Sequence, residues 1–194
     1  MAELKYKSPL VKADNPLSAN TLNSDGLQLR ALACQRLLRL QGRAEDIDVA
    51  VQAVLGAGLP TTPNQSVAGK NCEITWLGPS RWLVRFADDD DGARSEALLK
   101  NMATVTGSVV DVTHQFMSFS LSVQRAGEFL ARVCSLDLGA ERFKPGFAVR
   151  TLFGRLPVLL EYCGPDKFRL SVDQSLARFA WRYFAAILDD VKQS

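Results

Sequence analysis

The chain says nearly the same thing twice. "LGPSRWLVRF" occupies residues 77–86, and 86 positions later comes "CGPDKFRLSV" at 163–172. Aligning 74–86 with 160–172 puts Ile74 on Leu160, Trp76 on Tyr162, Trp82 on Phe168, Val84 on Leu170 and Phe86 on Val172. Every second residue is large and apolar in both copies, the period of a half-buried strand. Between the strands, Gly78-Pro79-Ser80-Arg81 matches Gly164-Pro165-Asp166-Lys167. Proline presets φ for position i+1 of a turn, and type I is the turn expected here. Each copy therefore predicts a hairpin with one wet and one buried face.

The match extends outward. "LQLRALACQRLLRLQ" (27–41) parallels "SVVDVTHQFMSFSLSVQ" (108–124), two strand-like runs close together in each case. Helical patterns follow at 47–55 and 126–136, and second helices at about 91–103 and 175–190. Both halves read β-β-α-β-β-α. The fold class predicted is α+β: two tandem pseudo-repeats, about 27–104 and 108–190, with helices packed on antiparallel sheets. They form one duplicated domain over 26–194, with loops at 60–71 ("PTTPNQSVAGKN") and 139–146 ("GAERFKPG").

Residues 1–25 read as an extended arm. Pro9 and Pro16 each remove a backbone donor, and Leu4, Tyr6, Leu10, Val11, Leu17 and Leu22 are too irregular for an amphipathic helix. Leu10 and Val11 are its candidate anchors on a neighbouring subunit. In the last helix, apolar residues span an arc of roughly 200°, about twice what an ordinary surface helix buries. The excess side, Trp181–Phe184–Leu188, is the second candidate partner interface, with coverage by the chain's own core as the alternative.

A search for chemistry returns no catalytic, cofactor-binding or metal-binding residue. The one histidine, His114, rules out a multi-histidine metal site. Asp111 is near it in sequence, but no G-x-S-x-G elbow supplies a nucleophile, so His114 is assigned to a turn between strands. "AGKN" lacks the glycine and the Ser or Thr of a phosphate loop, with Asn64 and Asn71 in those places. "GAG" at 56–58 follows a helix, which suits a C-cap and not a dinucleotide fingerprint. The acidic run in "ADDDDGARSEALL" reads as a helix start, where carboxylates meet the positive end of the dipole. Arg142, Lys144, Arg150 and Arg155 read as scattered, solubilising charge. Cys34, Cys72, Cys134 and Cys163 show no C-x-x-C spacing and read as reduced, packed thiols.

Twenty-three basic against 21 acidic side chains, a net charge of +2, imply no bulk attraction to nucleic acid or membrane. The N-terminal stretch lacks the apolar core of a signal peptide, and no run approaches the ~18 uncharged apolar residues of a membrane span. A cytoplasmic protein is expected.

Four segments together resemble a known family. "TWLGPSRWLV", "VVDVTHQFMSFSLS", "CSLDLGAERFKPGFAVRTLFGRLPVLL" and "FRLSVDQSLARFAW" are similar, in order and spacing, to the gamma subunit of heterotetrameric sarcosine oxidase. The resemblance covers residues 70–190 well and the first 70 poorly. It departs at Ser80-Arg81, where the family more often has an acidic pair after Gly-Pro.

The resemblance implies a fold like the folate-binding domain of the glycine-cleavage T-protein. It also implies a non-catalytic assembly subunit, alongside alpha, beta and delta chains, in a complex that oxidises sarcosine to glycine and passes the methyl carbon to tetrahydrofolate. FAD, FMN, NAD and zinc would reside in the partner chains, and none in this one. Two alternatives remain: the gamma subunit of a related N-methyl amino acid oxidoreductase, or a stand-alone folate-binding protein of the T-protein type. In the second, Asp111 or Glu161 would supply the carboxylate for the pterin.

Overall fold

The computed structural model describes residues 8–10, 21–24, 26–87, 92–124, 126–134, 136 and 144–192, with the side chains of 24 and 188–192 outside that description. Eleven strands and four α-helices are formed among them. The chain divides into two compact units: 1–34, 114–145 and 150–194 make one, and 35–113 with 146–149 the other.

The second unit shows the underlying plan. Strands β3 (Leu37–Gly42), β5 (Cys72–Gly78) and β6 (Arg81–Phe86) form its centre, flanked by the short β4 (Ser66–Gly69) and by β7 (Gly107–Asp111). Their order is β4-β5-β6-β3-β7, antiparallel in every pairing. Helix α1 (Ala44–Leu55) buries Ile47, Val51 and Leu55, spaced by four so that they share one face. It ends where Gly56 turns left-handed at φ 69° and donates its N–H to Gln52 O, the C-cap expected for "GAG". Helix α2 (Ala93–Met102) adds Leu98 and Met102 to the same core, which closes over Leu38, Leu40, Ile74, Trp82, Val84 and Phe86. The buried Trp82 indole donates to Pro60 O at 2.8 Å, so its polar edge is satisfied. The acidic run 88–91 lies outside the described residues.

The first unit repeats the plan. Its sheet contains β1 (Thr21–Ser24), β2 (Leu27–Ala31), β8 (Phe116–Val123), β9 (Ala148–Phe153), β10 (Leu156–Gly164) and β11 (Lys167–Asp173). The order is β1-β2-β8-β11-β10-β9. Helices α3 (Ala126–Val133) and α4 (Ala177–Lys192) supply its helical layer. Asp173 starts the short 3-10 turn that leads into α4: its Oδ1 accepts from Ser175 Oγ at 2.6 Å and Ser175 N at 2.9 Å. Those two bonds, the hydroxyl's first, hold its carboxyl below the usual range.

Element by element, β4, β5, β6 and β3 correspond to β9, β10, β11 and β8. The fifth place in each sheet is filled from the other half of the chain. Residues 27–31 pair with Phe119–Val123, not with the strand that follows them. Residues 107–111 pair with Leu38–Gly42. Each repeat thus lends its first strand to the other's sheet, so the sheets do not coincide with 27–104 and 108–190 as expected. Each repeat also holds one strand more than predicted. β4 lies in the stretch 60–71 expected to be a loop, and β9 follows the stretch 139–146.

Two further expectations are corrected. Ser80 (φ 58°) and Asp166 (φ 55°) follow the turn prolines with positive φ, which belongs to type II and not type I at that position. Within the stretch 1–25 expected as an extended arm, Thr21–Ser24 pair with Leu27–Arg30 as an edge strand, while residues 1–7, 11–20 and 25 lie outside the described residues.

Candidate functional site

Alternation along a strand sends one set of side chains to the helices and the other to the opposite face. In both sheets that opposite face carries buried polar groups. On β10 and β11, Glu161 and Arg169 are directly opposed. Arg169 Nη1 donates to Glu161 Oε1 at 3.4 Å, and the glutamate is 1% exposed. Nearby, the buried hydroxyls of Ser118 and Ser171 share a hydrogen bond of 2.9 Å. On β5 and β6, Glu73 opposes Arg85. Ser66 Oγ donates to Glu73 Oε1 at 2.9 Å, and Thr75 Oγ1 donates to Ser66 Oγ at 3.3 Å. Ser66, Thr75 and Arg85 are buried. Burying a carboxylate costs free energy that only charged or hydrogen-bonded partners offset. Arg169 supplies such a partner to Glu161, and Ser66 supplies one to Glu73.

The two candidate pterin carboxylates belong to different units. Glu161 is engaged as described. Asp111, exposed at the end of β7, accepts from Thr113 N at 2.9 Å and lies 3.9 Å from Arg36 Nη2. His114 sits exposed in the turn between β7 and β8, as its sequence context suggested.

One open cleft, about 410 Å³, lies where α3 begins beside the β10–β11 turn. Tyr162 and Phe168, edge to face at 5.7 Å, form one side, and Glu128 and Asp166 lie at its rim. Asp166 Oδ1 already accepts from Ala126 N at 3.4 Å, so the start of α3 is capped by the chain's own carboxylate.

Among the described residues, no three His, Cys, Asp or Glu side chains form a group that could hold a metal ion. Among them also, no helix is long and apolar enough to cross a membrane. All four cysteines are free thiols. Burial pushes the Cys134 thiol up to about 11, whereas Cys163 is exposed and departs from the packed state expected of it. Lys144, Arg150 and Arg155 are exposed, and Arg142 lies outside the described residues.

Of the residues expected at a partner interface, Trp181, Phe184 and Leu10 are covered by this chain. Trp181 and Phe184 are each 2% exposed, packed into the first unit's own core. Phe119 stacks on Trp181 at 5.9 Å and meets Phe184 edge-on at 5.4 Å. Leu10 is also buried, at 1% exposure, so its side chain is covered by this chain. Its neighbour Pro9 accepts from Arg178 Nε at 2.9 Å, which holds the segment on α4. Val11 and the Leu188 side chain lie outside the described residues. What α4 turns to solvent instead is Phe179, 54% exposed, its ring parallel to Tyr183 at 5.6 Å and 12°. The i, i+4 spacing of two aromatics, each preceded by an arginine (Arg178-Phe179 and Arg182-Tyr183), was the sequence signal for this face.

Comparisons with known proteins agree with this geometry. Residues 41–190 match the profile of the sarcosine oxidase, gamma subunit family. A sarcosine oxidase subunit gamma from Corynebacterium sp. (strain U-96) is 28% identical over 123 residues, 62% of this chain and 58% of that protein. The matched stretch thus spans less than two thirds of the relative's length. A chain of the heterotetrameric sarcosine oxidase of Corynebacterium sp. U-96, solved with pyrrole 2-carboxylate, superposes with a TM-score of 0.78 at 21% identity, covering 90% of each chain. The glycine cleavage system aminomethyltransferase T from Bartonella henselae superposes at 0.61 and 15% identity, over 82% of this chain and 44% of that one. At such identities these two likenesses establish the fold: an α+β arrangement of two antiparallel sheets and four helices of the aminomethyltransferase type.

Proposed function

From the premise that the chain belongs to the sarcosine oxidase gamma subunit family, we propose that it is the gamma subunit of a heterotetrameric sarcosine oxidase. In this reading its role is assembly. Alpha, beta and delta chains carry FAD, FMN, NAD and zinc, the complex demethylates sarcosine to glycine, and tetrahydrofolate takes the methyl carbon. This chain holds no cofactor, and the complex works in the cytoplasm without nucleic acid or membrane partners. The observation that carries the reading is the family match over residues 41–190.

The folate-binding alternative is less well supported. Its two candidate carboxylates are already engaged by this chain's own groups, Glu161 by Arg169 and Asp111 by Thr113 N. The test is co-expression with the other three subunits of the same oxidase. The chain should co-purify in a stoichiometric, flavin-containing complex that oxidises sarcosine, and omitting it should lower the yield of intact complex. Purified alone it should be colourless, inactive and unresponsive to tetrahydrofolate in a thermal-shift titration. A chain that ignores the other subunits but is stabilised by tetrahydrofolate would favour the T-protein alternative.

A further inference from the structure

We infer that the solvent face of α4, built on Phe179, Tyr183 and Arg182, is the surface by which this chain docks on another oxidase subunit, one presenting an apolar slot edged by carboxylates. The inference rests on the assembly reading above and names the surface that performs it.

An exposed apolar residue by itself needs no explanation. Phe179 is different because its neighbourhood is fixed. Its ring lies flat on Tyr183, and Tyr183 Oη accepts from Arg155 N at 3.3 Å, in the β9–β10 turn. The turn is shaped for that hydroxyl: Gly154 stands at φ 59°, and a Cβ there would collide with Tyr183 Oη. Next to Phe179, Arg178 is held by Pro9 O. Rigid aromatics lose little side-chain entropy on binding, and interface hot spots are enriched in Tyr, Trp and Arg. Helical spacing puts Arg182 one turn from Phe179, three residues beyond it, and it is exposed.

The charge selects the occupant. Exposed Arg178 and Arg182, one helical turn apart, line one side of the ring pair, so a carboxylate-bearing surface complements it. A two-fold contact between copies of this chain would bring the same patch against itself and set arginine near arginine. The patch is too small, and the net charge of +2 too low, to suit nucleic acid.

The test is assembly of the full chain with the other oxidase subunits, comparing Phe179→Ala, Phe179→Tyr and Arg182→Glu at low and high salt. Phe179→Ala and Arg182→Glu should each weaken incorporation by about tenfold or more, with unchanged circular dichroism and Tm. Phe179→Tyr should incorporate nearly as wild type, and Arg182→Glu should remove much of the salt dependence. Folded Phe179→Ala and Arg182→Glu chains that assemble as well as wild type would overturn this surface and leave the assembly reading intact. A wild-type chain that does not assemble would overturn both.

Discussion

Phe153 of β9 and Phe184 of α4 meet edge to face, their ring centroids 5.2 Å apart. Phe129 of α3 approaches Phe153 from the other side at 6.1 Å, and Phe184 also touches Phe119. Four rings from two helices and two strands thus form one train through the first unit. Phe184→Ala should cost about 3–5 kcal/mol, the usual range for an aromatic truncated in a close-packed core. Trp181→Lys should unfold the unit instead of detaching it from a partner. Urea denaturation of the purified chain measures the first, and a stable, folded Trp181→Lys chain would show that Trp181 is not part of the core.

Leu10 is buried by its own chain, so an N-terminal truncation should act on stability. Leu10→Ala should cost about 2–3 kcal/mol. Deleting residues 1–10 should lower Tm in the absence of any other subunit. An unchanged melting curve for both variants would return Leu10 to the partner-binding role.

Arg169 and Glu161 form a pair whose halves are unequal to lose. Arg169→Leu takes a charged partner from a buried carboxylate and should cost on the order of 3 kcal/mol. Glu161→Met combined with Arg169→Leu should recover most of that, since both charges of the pair are then removed. Equal denaturation midpoints for the single and double variants would contradict this account.

The Cys134 thiol, raised from 9.0 to about 11, keeps its proton longer when folded than when unfolded. Below about pH 9 both states are protonated and the group does not affect stability. Between pH 9 and 11 the unfolded state alone ionises, so Cys134 should make stability fall as pH rises through that window. At pH 8 a thiol reagent should label Cys163 rapidly and Cys134 only on unfolding. Loss of the pH 9–11 decline in Cys134→Ser tests the linkage. Labelling of Cys134 in the folded chain at the rate of Cys163 would refute the burial argument.

The hairpins were legible because both of their signals are local: alternating large apolar residues and a Gly-Pro corner. β4 was not, since Ser66-Val67-Ala68-Gly69 carries no bulky alternation and is a strand only because Ser66–Gly69 finds Cys72–Thr75 beside it. The exchange of β2 and β7 was illegible for a related reason. Two strand-like runs adjacent in sequence invite pairing with each other, and nothing in 27–31 encodes the preference for Phe119–Val123. On α4 the arc of apolar residues reads as too wide for an ordinary surface helix, and the structure buries its Trp181–Phe184 side in the chain's own core. Which side faced out depended on the rings of Phe119 and Phe153, which lie 65 and 31 residues before Phe184 in the chain. The family resemblance was legible because it needed only the order of segments.

The exchange of first strands has a consequence for how such a chain can come to exist. A lone repeat has a sheet with one place vacant and one strand that fits nowhere on itself, so it could complete its hydrogen bonding only by trading with a second copy. The duplicated chain is in effect that swapped dimer written as one polypeptide. During synthesis residues 27–31 can pair on one edge with Thr21–Ser24, but their other edge must wait until residues 116–123 have been made. Closing so long a loop is slow and leaves an apolar strand edge exposed meanwhile. The yield of folded chain should therefore depend on how the open edge of residues 27–31 is kept from pairing elsewhere before residues 116–123 arrive.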